Sequence, residues 1–154
     1  MFTLLKTQCN LTKLKLLANK VADKTTLGDI LLLKGDLGTG KTTFTRFYIN
    51  EIFIRNLCKK PTFIKSPSFP IMINYNLNNF EIFHYDLYRV KNSNEINELN
   101  IFENIKNNIT LIEWPELIYE LLPIKNFFII NFKILSKNKR EIEIQHSKKH
   151  IFIL

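Results

Sequence analysis

Three of the chain's four glycines fall at positions 35, 38 and 40, inside the stretch GDLGTGKTT that runs from 35 to 43. A chain this poor in glycine concentrates it where the backbone must curl. Residues 35 to 42 fit the pattern G-x-x-x-x-G-K-[ST]. The context fits as well. DILLLKG (29–35) is a short apolar run ending in glycine, which predicts a buried strand. Residues 41–58 then take up a helical pattern through Phe44, Phe47, Tyr48 and Ile52. To hold a polyphosphate, successive backbone N–H groups have to converge on it, and side chains at 35, 38 and 40 would obstruct the approach. The N-terminus of the following helix adds partial positive charge. Lys41 is then placed to bridge β- and γ-phosphates, and Thr42 to offer its hydroxyl to Mg²⁺.

Such a site needs a carboxylate beside the metal, at the end of a buried strand. Two acids qualify: Glu113 ends ITLIE (109–113), and Asp86 ends EIFHYD (81–86). Strands next to the one feeding the glycine loop would bring both to the sheet edge where open α/β folds bind ligands. One acid would hold the metal, directly or through water, and the other would orient the attacking water. The residues alone leave open which does which. In SPS (66–68), Ser66 and Ser68 put two hydroxyls on a loop, with proline restricting Ser66 to extended conformations. That suits a segment sensing a γ-phosphate, and it suits an ordinary turn equally. His84 either orients Asp86 or packs. Trp114, the one tryptophan, wedges the site beside Glu113 or fills the core. His146 and His150 lack a third ligand for a metal site.

The rest of the chain supplies alternating strands and helices. LTKLKLLANKVADK (11–24) places Leu11, Leu14, Leu17, Ala18 and Val21 on one helical face. FPIMINY and EIFHYDL flank NLNN as an antiparallel hairpin over 69–86. Asn92 caps a helix in NSNEINEL, with Glu95 in the capping-box position. PELIYELL starts a short helix at Pro115. NFFIINFKIL and REIEIQH are closing strands around SKNK. The expected fold is one α/β layered domain over 1–154, with a largely parallel sheet plus the hairpin. No apolar run reaches the ~18 residues a membrane span needs. Cys9 and Cys58 form neither a disulfide framework nor a metal-spaced pair, which fits a reducing cytoplasm. The net charge of +8 draws the protein toward polyanions, although a Lys-, Asn- and Ile-rich composition accounts for much of it.

Taken in order, GDLGTGKTTFTR, SPSF, HYDLYR and LIEWPE resemble the TsaE (YjeE) family, small P-loop ATPases of threonylcarbamoyladenosine formation in tRNA. The resemblance covers almost the whole chain and implies a P-loop NTPase fold. It implies that Gly35 and the segment Gly38, Thr39, Gly40, Lys41, Thr42 and Thr43 cradle ATP, and that Thr42 and Glu113 bind Mg²⁺. Asp86 is then the residue needed for hydrolysis, so that Lys41, Asp86 and Glu113 carry catalysis. Ser66 and Ser68 match the switch-like loop, and residues 10–12 lie near the adenine. The implied partners are the TsaB and TsaD proteins, with tRNA contacted within the complex. TsaD, rather than this chain, performs the transfer. The sequence departs from the family at Pro70 (usually Thr), Phe47 (usually Gly) and Asn100 (usually Gly, at a helix end). The residues also fit a small-molecule kinase or a nucleotide-gated binding module, but four scattered arginines and no long lid disfavour the kinase. No N-K-x-D segment reads guanine, which favours ATP.

Overall fold

The computed structural model describes residues 1–122 and 127–147. The basic tail beyond 147, including His150, lies outside them. A seven-stranded sheet in the order β1-β7-β6-β2-β5-β4-β3 organises the chain. Its strands are β1 (Phe2–Cys9), β2 (Ile30–Lys34), β3 (Met72–Asn76), β4 (Glu81–Asp86), β5 (Ile109–Glu113), β6 (Phe127–Ser136) and β7 (Lys139–His146). The helices are α1 (Leu11–Lys24), α2 (Lys41–Arg55), α3 (Ser93–Glu98), α4 (Ile101–Asn104) and α5 (Glu116–Tyr119).

The central strand β2 pairs in parallel with β5 on one side and β6 on the other. β4 adds in parallel beyond β5. Only β3 and β7 run against the other five strands, so the sheet is largely parallel. The β3–β4 hairpin forms as its sequence predicts. A second antiparallel unit, β6–β7–β1, closes the opposite side.

β2 is buried on both faces, as a strand in the middle of a layered fold must be. Leu31 and Leu33 enter one core with Leu14, Leu17, Val21, Phe44 and Tyr48 from α1 and α2. Ile30 and Leu32 enter the other, with Ile96, Ile101 and Ile118 from α3, α4 and α5. Each such side chain contributes roughly 1.5–3 kcal/mol by leaving water.

Local chemistry sets the ends of these elements. Asn10 caps α1 by accepting from the Lys13 N–H at 2.9 Å. Leu11, expected on the buried face, sits in the first turn and is exposed, because the packed stripe starts only at Leu14. Asn92 accepts from the Asn94 and Glu95 N–H groups. The Glu95 carboxylate reaches back to the N–H of Lys91 rather than to that of Asn92, one residue beyond an ordinary capping box. Asn100 adopts φ 50°, the left-handed conformation that explains why asparagine can stand in for glycine there.

Candidate functional site

The site lies at the carboxyl ends of β2, β5 and β4. Register aligns it: Leu33 pairs with Glu113, and Glu113 pairs with Asp86. Three neighbouring strands therefore finish at one level. β5 is the strand next to β2, as expected for Glu113. β4 lies one strand farther out, so Asp86 reaches the site from the second position rather than from a strand flanking β2.

The glycine loop links β2 to α2. Gly35 has φ 140°, and a Cβ there would meet the Phe132 carbonyl oxygen at 2.4 Å. Only glycine lets β2 turn out of the sheet this close to β6. Gly40 occupies the N-cap of α2 at φ 109°, with no side-chain cap. The first N–H groups of a fifteen-residue helix are thus left without the usual capping oxygen, at the positive end of its dipole. No acid stands in the first turn to compete for them. Thr39 is buried, and its hydroxyl donates to the Asp36 carbonyl at 2.8 Å, which fixes the crest of the loop.

Lys41 is buried, with its ammonium donating to the carbonyls of Gly35 and Asp36 at 2.5 and 2.9 Å. It lies 3.9 Å from the centre of the Trp114 ring. Burial holds its pKa below the ordinary value, against the pull of Glu113, Asp86, Glu116 and Asp36. Trp114 reaches this position at φ 58°, its N–H bonded to the Leu33 carbonyl. Tyr88 packs against the same indole, ring centres 4.8 Å apart.

Glu113 is buried, and its two oxygens have different partners. Oε2 accepts from the Thr42 hydroxyl at 3.0 Å, and Oε1 lies 2.9 Å from His84 Nε2. Asp86 has separate partners: Ser66 donates to Oδ2 at 3.3 Å, and the Tyr88 N–H to Oδ1 at 3.1 Å. Burial raises the Asp86 carboxyl above the ordinary carboxylate range. The Tyr88 and Ser66 donors oppose this, and the charge of Glu113 adds to it.

A cavity of about 180 Å³ is lined by Gly38, Lys41, Thr42, Ser66, Asp86, Glu113 and Trp114, so the predicted acids, the loop lysine and one switch serine meet around one space. Ser68 is exposed on the same loop. A larger cavity, about 390 Å³, adjoins the loop, sharing Gly38, Gly40 and Thr43 and adding Asn10, Leu11 and Thr12. Leu11, left uncovered by the core, helps to line it. Thr42 and Glu113 offer hard oxygens of the kind Mg²⁺ takes, and the uncapped amides with Lys41 suit phosphates.

Sequence reasoning missed two residues. His84, expected to orient Asp86 or to pack, is fully buried and has its bond to Glu113. Arg140, at the start of β7, donates to the Thr39 carbonyl at 3.1 Å and to that of Gly38 at 3.5 Å. A hundred residues separate it from the loop, so only the SKNK turn, which folds β7 back along β6, could have hinted at it.

A parallel core whose central strand ends in a glycine-built anion cradle, capped by a lysine-bearing helix, is the P-loop NTPase fold. Within that class the chain belongs to the TsaE family: the family model for threonylcarbamoyl adenosine biosynthesis protein TsaE matches residues 9–144. The tRNA threonylcarbamoyladenosine biosynthesis protein TsaE of Rickettsia typhi is 47% identical over 117 residues, spanning 76% of this chain and 77% of the relative. The protein of the same name from Bacillus subtilis is 35% identical over 116 residues, spanning 75% and 68%. The crystal structure of Bacillus subtilis YdiB matches with a TM-score of 0.68 at 29% identity, over 94% of this chain and 86% of that one.

Proposed function

We propose that the chain is a Mg²⁺-dependent ATPase of the cytoplasm that supports threonylcarbamoyladenosine modification of tRNA by acting on the TsaB–TsaD complex. The observation that carries this reading is the Thr42–Glu113 contact at the mouth of an uncapped helix, with Lys41 and Asp86 facing the same cavity. The amides of 38–43 take the phosphate oxygens, and the larger cavity beside Asn10, Leu11 and Thr12 takes the adenosine. Lys41 moves its ammonium from the Gly35 and Asp36 carbonyls to the β- and γ-phosphates. Thr42 and Glu113 hold Mg²⁺, which when bound neutralises charge on those phosphates.

Asp86 orients the attacking water and accepts its proton as the oxygen bonds to the γ-phosphorus and ADP departs. Burial makes this carboxylate a stronger proton acceptor than an exposed one. Ser66 ties the switch loop to the same carboxylate. Ser68, exposed beside it, faces outward to a partner.

Turnover by the protein alone is slow. Arg46 is bonded to the Ile64 carbonyl, Arg55 to Asp23 and Glu51, and Arg140 to the Thr39 and Gly38 carbonyls. None of these three is placed as a finger on the γ-phosphate, a contribution worth roughly 10³–10⁵ in rate, and Arg89, the fourth, is exposed to solvent. A partner completes the site. The net charge of +8 suits tRNA held within that assembly. Among the described residues no helix is long and apolar enough to cross a membrane.

The test is reconstitution with TsaB, TsaD and tRNA. Modification should require hydrolysable ATP and should be lost with Asp86→Asn while ATP still binds. Full modification with a non-hydrolysable analogue, or with the Asn variant, would overturn the proposal.

A further inference from the structure

We infer that His84 is a positioning residue that holds Glu113 to one oxygen and thereby sets which divalent cation the site accepts. The inference rests on the nucleotide–metal reading above.

His84 is fully buried on β4, and its register partner is Leu111, two residues before Glu113 on β5. Alternation along the strands therefore puts the imidazole and the carboxylate on one face of the sheet. The bond between them is 2.9 Å long. A carboxylate can only accept, so Nε2 carries the proton and donates to Oε1. Nδ1, equally buried, has no hydrogen-bond partner among the described residues. A leucine would fill this place without burying an unpaired nitrogen. Among the described residues, the one polar bond the ring makes is the one to Glu113.

That bond divides the carboxylate. Oε1 is occupied by His84, and Oε2 alone faces Thr42. With a lone pair of Oε1 committed to His84, the carboxylate is held in one orientation, and Oε2 is the oxygen it presents beside Thr42 to a metal. Mg²⁺ is small and octahedral and takes carboxylates through single oxygens, whereas Ca²⁺ accepts six to eight ligands and readily takes both oxygens of one carboxylate. A glutamate pinned by its far oxygen favours the first ion over the second. Without the pin, the carboxylate can rotate and present both.

The experiment measures binding of a non-hydrolysable ATP analogue by calorimetry, in EDTA, Mg²⁺ and Ca²⁺, for wild type, His84→Leu and His84→Gln. In His84→Leu, the Mg²⁺ concentration giving half-maximal enhancement should rise about tenfold or more. Ca²⁺ should become as effective as Mg²⁺, and affinity in EDTA should stay within about twofold of wild type, since the phosphate cradle is untouched. His84→Gln keeps an N–H donor near the Nε2 position and should restore most of the preference. Wild-type Mg²⁺ dependence and cation preference in His84→Leu would overturn the inference. Should the leucine variant fail to fold, histidine-labelled wild-type protein decides by NMR. Nε2 should be protonated, Nδ1 bare, and the Nε2 signal should move on adding Mg²⁺ to the nucleotide complex. The opposite tautomer, or a signal indifferent to Mg²⁺, would overturn it. Wild-type protein that binds no nucleotide in any condition removes the reading beneath it as well; a binding wild type with an unchanged variant removes this inference alone.

Discussion

Asp86 and Glu113 are direct partners in the β4–β5 register, yet their carboxyl groups share no donor. Ser66 and the Tyr88 N–H hold the first; Thr42 and His84 hold the second. Two acids brought to one level by a single strand pairing are thus held by entirely different donors.

Asp86→Asn should make the protein more stable and less active. Without nucleotide and metal, burial holds the native Asp86 pKa above its unfolded value of about 3.9. A raised native pKa contributes stability that is complete below the unfolded value and is lost as pH rises through the native one. Asparagine has no such charge to bury and can still accept from the Tyr88 N–H. Thermal melts in EDTA should coincide for the two proteins near pH 3.5 and separate as pH rises, with the variant melting higher at pH 7. Melts that stay together up to pH 7 would contradict this.

Gly35→Ala and Gly38→Ala should fail in different ways. At 35 the new methyl group meets the Phe132 carbonyl, which the β2–β6 pairing holds in place, and φ 140° adds strain. Urea unfolding should show a loss of roughly 2–5 kcal/mol. At 38 a Cβ has nothing within 4 Å, and φ 75° costs only about 1–2 kcal/mol. That variant should fold, while nucleotide titration shows the larger defect, because the methyl group enters the phosphate approach.

Arg140→Ala should weaken nucleotide binding about tenfold, the order expected for a lost charged hydrogen bond, with a modest change in melting temperature. The guanidinium holds the Thr39 and Gly38 carbonyls at the edge of the larger cavity, which it also lines, and so helps to fix the loop's shape. Arg140→Lys should not rescue, since an ammonium lacks the planar fork that spans two carbonyls. Titration of both variants against wild type checks this.

Trp114 should report on Lys41. The ammonium lies 3.9 Å from the centre of the ring, and phosphate binding draws it away. Emission of this single tryptophan should change when nucleotide is added. Lys41→Ala should fold, show altered emission at rest, and lose the response.

The glycine loop, its flanking strand and helix, and both acids were legible because each is written in a few consecutive residues. β1 was not. Its residues Lys6 and Gln8 interrupt the apolar pattern, since an edge strand pairing with β7 alone has little face to bury. The bond from His84 to Glu113 was not legible for a related reason. Two residues apart on one strand, His84 and Asp86 invite pairing, but the neighbouring strand brings Glu113 within reach of the ring. Arg140 depends on a contact between distant segments that local spacing does not encode. The Leu11 outcome belongs with these: helical period alone cannot say where the packed stripe begins.

The braces on the cradle come from late in the chain. β2 and its glycines are made early, but Phe132 and Arg140, which press on Gly35 and grip the crest of the loop, follow by about a hundred residues. A polypeptide still emerging from the ribosome therefore carries the complete phosphate motif long before it has a working one. Released fragments ending ahead of residue 140 should be blind to nucleotide, so that competence arrives only once β7 has been made.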